Sequence, residues 1–155
     1  MKKITTRFGE IEYDPANTIH FPEGLVGLED LHDFIVMPNK KKGPLFWIQC
    51  VDHPEYAFVV TDPTNFFLDY VLAPDEEERK KLGIGAEDEC YILCIVTVPP
   101  SKEITLNLAA PILFAPKSNR ALQVILENSP YDVRTPLPRP DSSQEPANDR
   151  KNATG

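Results

Sequence analysis

Short apolar runs recur at close intervals along this chain up to residue 126, separated in most places by proline, glycine, asparagine or aspartate. β-Branched and aromatic residues dominate within the runs, a pattern typical of an all-β sandwich or barrel. We therefore predict a small antiparallel β-barrel-like or sandwich domain with one or two short surface helices. The predicted strands span residues 4–8, 11–13, 18–21, 34–37, 45–50, 56–61, 67–72, 90–98, 104–108, 112–115 and 121–126.

The order of side chains within two runs predicts how they are buried. In residues 104–108 the apolar residues Ile104, Leu106 and Leu108 alternate with polar ones, as in a strand with one face in a core. Residues 93–98 (LCIVTV) are apolar on both faces. They therefore predict a central strand, or a strand with one face in the core and the other beneath a loop.

One segment carries the signals of a helix. Asp75 and Glu78 match a capping box, and Gly83 can adopt the left-handed conformation that ends a helix. Leu82 and Ile84 are its apolar anchors, so we expect a helix of about two turns on the surface. The spacing also predicts two ion pairs four residues apart, Glu76 with Lys80 and Glu77 with Lys81.

The last part of the chain differs in composition from the rest. It is rich in proline, serine, asparagine and aspartate and has almost no apolar residues, so it cannot offset its ordering entropy by burial. We predict a single β-barrel-like domain over residues 1–135 and a flexible, disordered tail over residues 136–155. The 16 prolines, about twice the average share, argue against long helices.

The formal net charge of −8 limits the possible partners. Binding to phosphates requires a basic face, so we expect no direct contact with nucleic acid. An acidic surface suits a basic protein partner, although solubility alone explains it equally well. The N-terminus lacks the apolar core of a signal peptide, and the apolar run 90–98 is too short to span a bilayer. We therefore expect a cytoplasmic protein without a membrane partner.

Candidate residues for chemistry are few. Cys50, Cys90 and Cys94 have no metal-site spacing, so we predict buried structural thiols and neither a metal nor another cofactor. The carboxylate clusters at residues 75–78 and 87–89 are typical of solvated faces. Phosphate-binding and nucleophile-elbow motifs are absent from the sequence. We therefore predict no catalytic residue.

One alternative keeps a chemical role open. His32 and Asp33 are adjacent, and an acid–base pair or His53 could serve a small-molecule-binding β-barrel or an unrecognised hydrolase. Adjacent residues of a turn or strand usually point apart, which counts against the pair.

Seven short sequence motifs occur in a specific order: RFGEIE (7–12), FPEGLVGLED (21–30), WIQC (47–50), TDP (61–63), TLNLAAPI (105–112), QVIL (123–126) and YDVRTPL (131–137). Together they resemble the bacterial flagellar assembly factor FliW family over about residues 4–137. The chain departs from the family at Val26, where proline is common, at Leu28, where phenylalanine is common, and at Leu106, where valine is commoner. These changes conserve packing but leave the shape of the turn around Val26 open.

The resemblance implies a non-enzymatic β-barrel-like protein with two partners. One is CsrA, an RNA-binding translational regulator, and the other is flagellin. Cytosolic flagellin would occupy the factor until export removes it, and the freed factor would bind CsrA and relieve repression of flagellin translation. We expect the free protein to be a monomer.

The stretch at residues 21–30 can be a phosphate cradle, a structural turn or an exposed apolar tip. Gly24 and Gly27 permit positive φ and Pro22 ends strand pairing, which favours a turn that closes one end of the barrel. The minority interpretation gives Leu25 or Val26 a binding role.

We place the predicted protein-binding surface on one turn–strand–helix unit that is continuous in sequence. Acidic side chains would steer the partner, and apolar ones would hold it. The acidic candidates are Asp62, Asp69, Asp75, Glu76, Glu77 and Glu78, and the apolar candidates are Phe66 and Tyr70.

Overall fold

The computed structural model describes residues 1–37, 43–101, 103–127 and 130–137, which form eleven strands, one α-helix and two short 3₁₀ helices. The strands are β1 (Lys2–Thr6), β2 (Gly9–Tyr13), β3 (Ile19–His20), β4 (Asp33–Met37), β5 (Leu45–Cys50), β6 (Ala57–Thr61), β7 (Tyr91–Thr97), β8 (Thr105–Leu106), β9 (Ile112–Ala115), β10 (Arg120–Gln123) and β11 (Thr135–Pro136). Helix α1 spans Glu76–Leu82, and the 3₁₀ helices span Pro15–Asn17 and Pro63–Asn65.

Within the described residues, seven strands close into a barrel, which confirms the predicted all-β fold. Antiparallel pairing runs from β3 through β4, β5 and β6 to β7, and β7 then pairs with β9, which pairs with β10. The barrel closes where β10 pairs with β3 through Arg120 and His20. This last pairing is parallel, whereas the other pairings of the barrel in the described residues are antiparallel, as predicted. A parallel neighbour requires a long connection, and here most of the chain lies between the two strands.

Side chains fill the interior of the barrel, as in other small barrels. Phe21, Phe34, Ile48, Val60 and Ile112 form its centre and are all buried. Rings pack against one another there, and the centroids of Phe21 and Phe34 are 5.0 Å apart. The interior is therefore a packed core of side chains.

Strand β7 separates the barrel core from a second cluster on its outer face. Leu93 and Ile95 pack against the barrel core, whereas Cys94 and Val96 belong to the second cluster together with Leu106, Leu108 and Tyr70. The prediction that both faces of this run are covered is thus confirmed for residues 93–96, whereas Thr97 and Val98 are exposed. The second cluster also contains Ile104, as the alternation in residues 104–108 predicts.

Helix α1 forms as its sequence predicts. The Asp75 carboxylate accepts a hydrogen bond from Glu78 N–H at 2.7 Å, the Glu78 carboxylate accepts one from Asp75 N–H at 2.9 Å, and Gly83 ends the helix at φ 70°. Leu82 is fully buried in a third cluster with residues of β9 and β10. One predicted ion pair is wrong, because Lys81 binds Glu23 at 2.9 Å instead of Glu77. The other predicted pair, Lys80 with Glu76, is 3.9 Å long.

The predicted strand at residues 67–72 is wrong. Asp62 caps the 3₁₀ helix Pro63–Asn65 by accepting a hydrogen bond from Thr64 N–H at 2.9 Å, and turns follow. Phe67 N–H donates to Pro63 O at 2.8 Å, and Tyr70 N–H donates to Phe67 O at 3.0 Å. These local hydrogen bonds replace the ladder of a strand.

Two residues that the sequence prediction assigns to the tail contact the barrel domain. Pro136 pairs with Thr105 across β11 and β8, and Leu137 packs against the second cluster. The division into a domain over residues 1–135 and a tail over residues 136–155 stays a prediction. The predicted tail from residue 138 onward lies outside the described residues.

The three cysteines are free thiols. Cys50 and Cys94 are buried and Cys90 is half-buried. Burial raises the pKa of both the Cys50 and the Cys94 thiol to about 12, which leaves them protonated and unreactive near neutral pH. Within the described ranges, no three His, Cys, Asp or Glu side chains come together as a metal site. No helix in the same ranges is both long enough and apolar enough to cross a bilayer.

Candidate protein-binding surface

The turn at residues 21–31 packs against the barrel core through Leu25, Leu28 and Leu31. Leu25 and Leu28 exchange two backbone hydrogen bonds of 3.1 and 2.8 Å. The glycine before each of them has a positive φ, 67° at Gly24 and 80° at Gly27. Leu25 is only 2% exposed and joins the barrel core, whereas Val26 is 50% exposed. The structure thus supports the structural-turn interpretation for Leu25, while it leaves Val26 on the surface.

Side chains from distant parts of the sequence hold this turn in place. The Gln123 side chain accepts a hydrogen bond from Val26 N–H at 2.8 Å and donates one to Ala110 O at 3.0 Å. The Glu29 carboxylate accepts a hydrogen bond from Gly27 N–H at 3.0 Å. Together with the ion pair between Glu23 and Lys81, these contacts join the turn, the end of β10 and helix α1 into one surface.

A groove runs between this turn and the residues that follow β10. It consists of two adjoining clefts that share Leu25, Val26, Gln123 and Ile125, and we name it the turn groove. The first cleft has a volume of about 310 Å³ and is mostly apolar. The second has a volume of about 470 Å³ and is mostly polar. The first also includes Leu28, Phe58, Ile95, Asn107, Ala109, Ala110 and Val133, and the second Glu23, Gly24, Glu29, Glu78, Lys81, Leu122 and Val124.

The polar cleft has an acidic rim. Its described lining carries three carboxylates, those of Glu23, Glu29 and Glu78, and the ammonium group of Lys81. The hydrogen bond to the Glu23 carboxylate raises the pKa of Lys81, so the lysine stays charged and compensates Glu23. The negative charge of Glu29 and Glu78 then dominates the field in this cleft.

The predicted acidic residues fall into two groups in the structure. Asp75, Glu76 and Glu77 are exposed at the start of α1, and the partly buried Glu78 reaches the turn groove. Asp62 and Asp69 are also exposed but lie beside the second cluster. The fold therefore joins Glu78 to residues 23–29, which the sequence interpretation treated as a separate element.

Of the two predicted apolar contact residues, Tyr70 requires a correction, whereas Phe66 stays a prediction. Tyr70 is only 4% exposed, and its hydroxyl donates a hydrogen bond to Leu108 O at 2.8 Å. Its ring therefore supports the loop from inside and is not available at the surface. Phe66 is half-buried against the same second cluster.

The exposed apolar residues near these acids were missed by the sequence interpretation. Leu68 and Val71 flank Tyr70 and are almost fully exposed, and Ile125 and Val133 are 64% and 58% exposed. Ile125 follows β10 within a run that the pattern assigns to a buried strand. The sequence gives no signal for this exposure, because Val124, Ile125 and Leu126 are all apolar.

The structure also reassigns the pairing on which the alternative chemical role rests. Asp33 Oδ1 is 2.9 Å from His20 Nδ1, whereas His32 Nδ1 is 2.8 Å from Phe21 O. The predicted His32–Asp33 acid–base pair is therefore not formed. His53 lines another cleft of about 280 Å³ beside Glu55 and Tyr56, which shares Leu28 and Glu29 with the turn groove.

Known proteins are similar to this chain from its first strand to Leu137. A family model described as FliW protein matches residues 2–137. The chain belongs to the FliW family. It is 64% identical over 137 residues to the flagellar assembly factor FliW of Syntrophotalea carbinolica, an alignment that covers 88% of this chain and 98% of that protein. Flagellar assembly factor FliW 2 of Desulfotalea psychrophila is 62% identical and aligns over 89% of this chain and 91% of its own length.

A solved structure agrees with this assignment. The crystal structure of the flagellar assembly factor FliW matches with a TM-score of 0.79 at 28% identity, covering 88% of this chain and 96% of that chain. The part of the chain that the FliW model matches extends from residue 2 to Leu137. The turn groove and helix α1 thus both lie within the region shared with the FliW family.

Proposed function

We propose that this FliW-family flagellar assembly factor acts without catalysis, by binding CsrA and flagellin in turn. Membership of the FliW family is the observation that carries the proposal. While flagellin occupies the factor, CsrA remains free to repress flagellin translation. Export of flagellin then frees the factor, which binds CsrA and relieves the repression.

The charge of the protein supports a basic partner such as CsrA. The net charge is −8, and exposed carboxylates follow one another from Asp62 to Glu77. Such a field accelerates encounter with a basic protein and weakens as salt is added. We propose that Asp62, Asp69, Asp75, Glu76, Glu77 and Glu78 steer CsrA towards the protein, and that the partly exposed ring of Phe66 contributes contact area.

The function is tested with the full-length protein, purified CsrA and purified flagellin. Size-exclusion chromatography at modest salt should give a larger species with each partner. Titration of a CsrA–RNA complex with this protein should release the RNA, and added flagellin should restore RNA binding. Failure of the protein to bind either partner at micromolar concentration would contradict the proposed function.

The steering role is tested by charge reversal. We expect Asp69→Lys, Glu76→Lys and Glu77→Lys together to slow CsrA association about tenfold at low salt and to flatten its salt dependence. Glu78 is left unchanged because it belongs to the capping box. Changing Glu10, Glu12 and Glu103 to lysine is the matched control, since these exposed carboxylates are not among the predicted steering residues and the total charge changes equally. Equal association rates for both triple variants would place the steering charge elsewhere.

A further inference from the structure

Three exposed apolar side chains gather at the turn groove. Val26, Ile125 and Val133 are 50%, 64% and 58% exposed and line the same apolar cleft. Single exposed apolar residues are common on protein surfaces, but several around one cleft are typical of a binding site. The base of the cleft is well packed, because Leu25 is part of the barrel core and Phe58 packs against it.

The backbone beside the groove is oriented to receive another chain. Val124 N–H donates to Pro111 O at 2.9 Å, and Leu126 N–H donates to Ala109 O at 2.8 Å. Alternate residues of an extended segment direct their N–H and C=O groups to opposite sides. The backbone groups of Ile125, which lines the turn groove, therefore point away from residues 109–111, and an extended partner segment can add to this edge.

The groove offers a partner an apolar cleft and, next to it, a negatively charged cleft. An apolar side chain fits the cleft at Val26, Ile125 and Val133, and a cation fits the adjoining cleft at Glu29 and Glu78. The two clefts meet at Val26 and Ile125, so one short segment can occupy both. An RNA-binding protein has the basic surface that such an acidic rim selects.

We propose that the turn groove docks a segment of CsrA that carries a large apolar side chain close to a lysine or arginine. The apolar side chain enters the cleft at Ile125, and the cation meets Glu29 and Glu78. This assignment rests on the proposed function, because it takes CsrA as the partner. It supplies the apolar anchor that buried Tyr70 cannot provide.

The test uses paired variants of the full-length protein and purified CsrA. Val26→Ser with Ile125→Ser removes apolar contact area at the groove, while Val36→Ser with Val98→Ser removes comparably exposed valines elsewhere. We expect the groove pair to raise the Kd for CsrA about tenfold or more, mainly through faster dissociation. The control pair should change the Kd less than about twofold.

The rim is tested separately with Glu29→Gln, which keeps an acceptor for Gly27 N–H but removes the charge. We expect this variant to weaken CsrA binding about threefold at low salt and to match the wild type at high salt. An unchanged Kd at low salt would overturn the role of the rim.

The outcomes separate the groove from the function. A wild-type protein that does not bind CsrA overturns both proposals, whereas wild-type affinity in the groove pair overturns the groove alone. Loss of flagellin binding with CsrA binding intact would assign the groove to flagellin and overturn this proposal. Amide chemical shifts of the labelled wild-type protein provide a check that needs no variant. Addition of CsrA should shift the Val26 and Ile125 signals and leave Val36 unchanged.

Discussion

In both the turn at residues 21–31 and the segment at residues 62–72, two adjacent apolar residues differ in burial, but for different reasons. In each, one side chain is buried and the next is exposed: Leu25 and Val26 in the turn, Tyr70 and Val71 in the segment. In the turn, hydrogen bonds between Leu25 and Leu28 and two glycines fix the backbone, and the distant Gln123 binds Val26 N–H. In the segment, Tyr70 is buried because its hydroxyl and ring reach the distant Leu108. Burial of adjacent residues thus combines a local backbone pattern with remote contacts in the turn, whereas in the segment a remote partner accounts for it.

The largest effect should separate the two neighbours in the turn. Leu25→Ala removes a side chain from the closed barrel core and should reduce the free energy of unfolding by about 3–4 kcal/mol. Val26→Ala acts on the exposed side and should change it by less than about 0.5 kcal/mol. Urea denaturation of both variants measures the difference. Similar losses would mean that Val26 also supports the core.

A second comparison uses the two glycines of the same turn. A Cβ atom at Gly24 would lie 2.5 Å from Glu29 O, whereas a Cβ at Gly27 meets no atom within 4 Å. Both positions have positive φ, so each alanine substitution costs about 1–2 kcal/mol. Gly24→Ala adds a clash with the backbone and should cost about 2–3 kcal/mol in total. In thermal unfolding, the Tm of Gly24→Ala should be lower than the Tm of Gly27→Ala. The reverse order would contradict the described turn.

The smallest of the three effects concerns the remote contact of the segment. Tyr70→Phe leaves Leu108 O without its donor and should reduce the free energy of unfolding by about 1–2 kcal/mol. The exposed Leu68 nearby is the control, and Leu68→Ala should have almost no effect. Equal stabilities for Tyr70→Phe and the wild type would show that the hydrogen bond contributes nothing net.

The same tyrosine predicts a pH dependence. Burial raises the pKa of Tyr70 to about 12, compared with about 10 for a tyrosine in an unfolded chain. Below pH 10 the phenol is neutral in both states, and between pH 10 and 12 it ionises mainly in the unfolded chain. The wild type should therefore lose more stability than Tyr70→Phe as pH rises through this window. The buried thiols titrate in both proteins, so the difference between the two denaturation series isolates Tyr70.

Several features of the fold follow from local patterns. Asp75, Glu78 and Gly83 define helix α1 because a capping box and a left-handed glycine act within one turn of backbone. The positive φ of Gly24 and Gly27 is equally local. Alternating residues also indicate which faces of a strand are buried, as Ile104, Leu106 and Leu108 show.

Other features depend on partners far away in the sequence. Lys81 has an acidic neighbour four residues earlier but binds Glu23, because the turn brings that carboxylate to the end of the helix. Residues 67–72 have the composition of a strand but form turns. The candidate site was predicted as one continuous segment. The structure instead joins part of that segment to the turn and to the end of β10.

By itself, the sequence determined the all-β class, the helix with its two ends, the glycine turn and the family resemblance. These depend on interactions between residues a few positions apart, or on motifs that remain recognisable in order. Tertiary structure alone decided the parallel closure of the barrel, the burial of Tyr70 and the meeting of Val26 with Ile125 and Glu78. Each of these is a contact between segments whose separation along the chain leaves no periodic signal, so only packing in three dimensions specifies it.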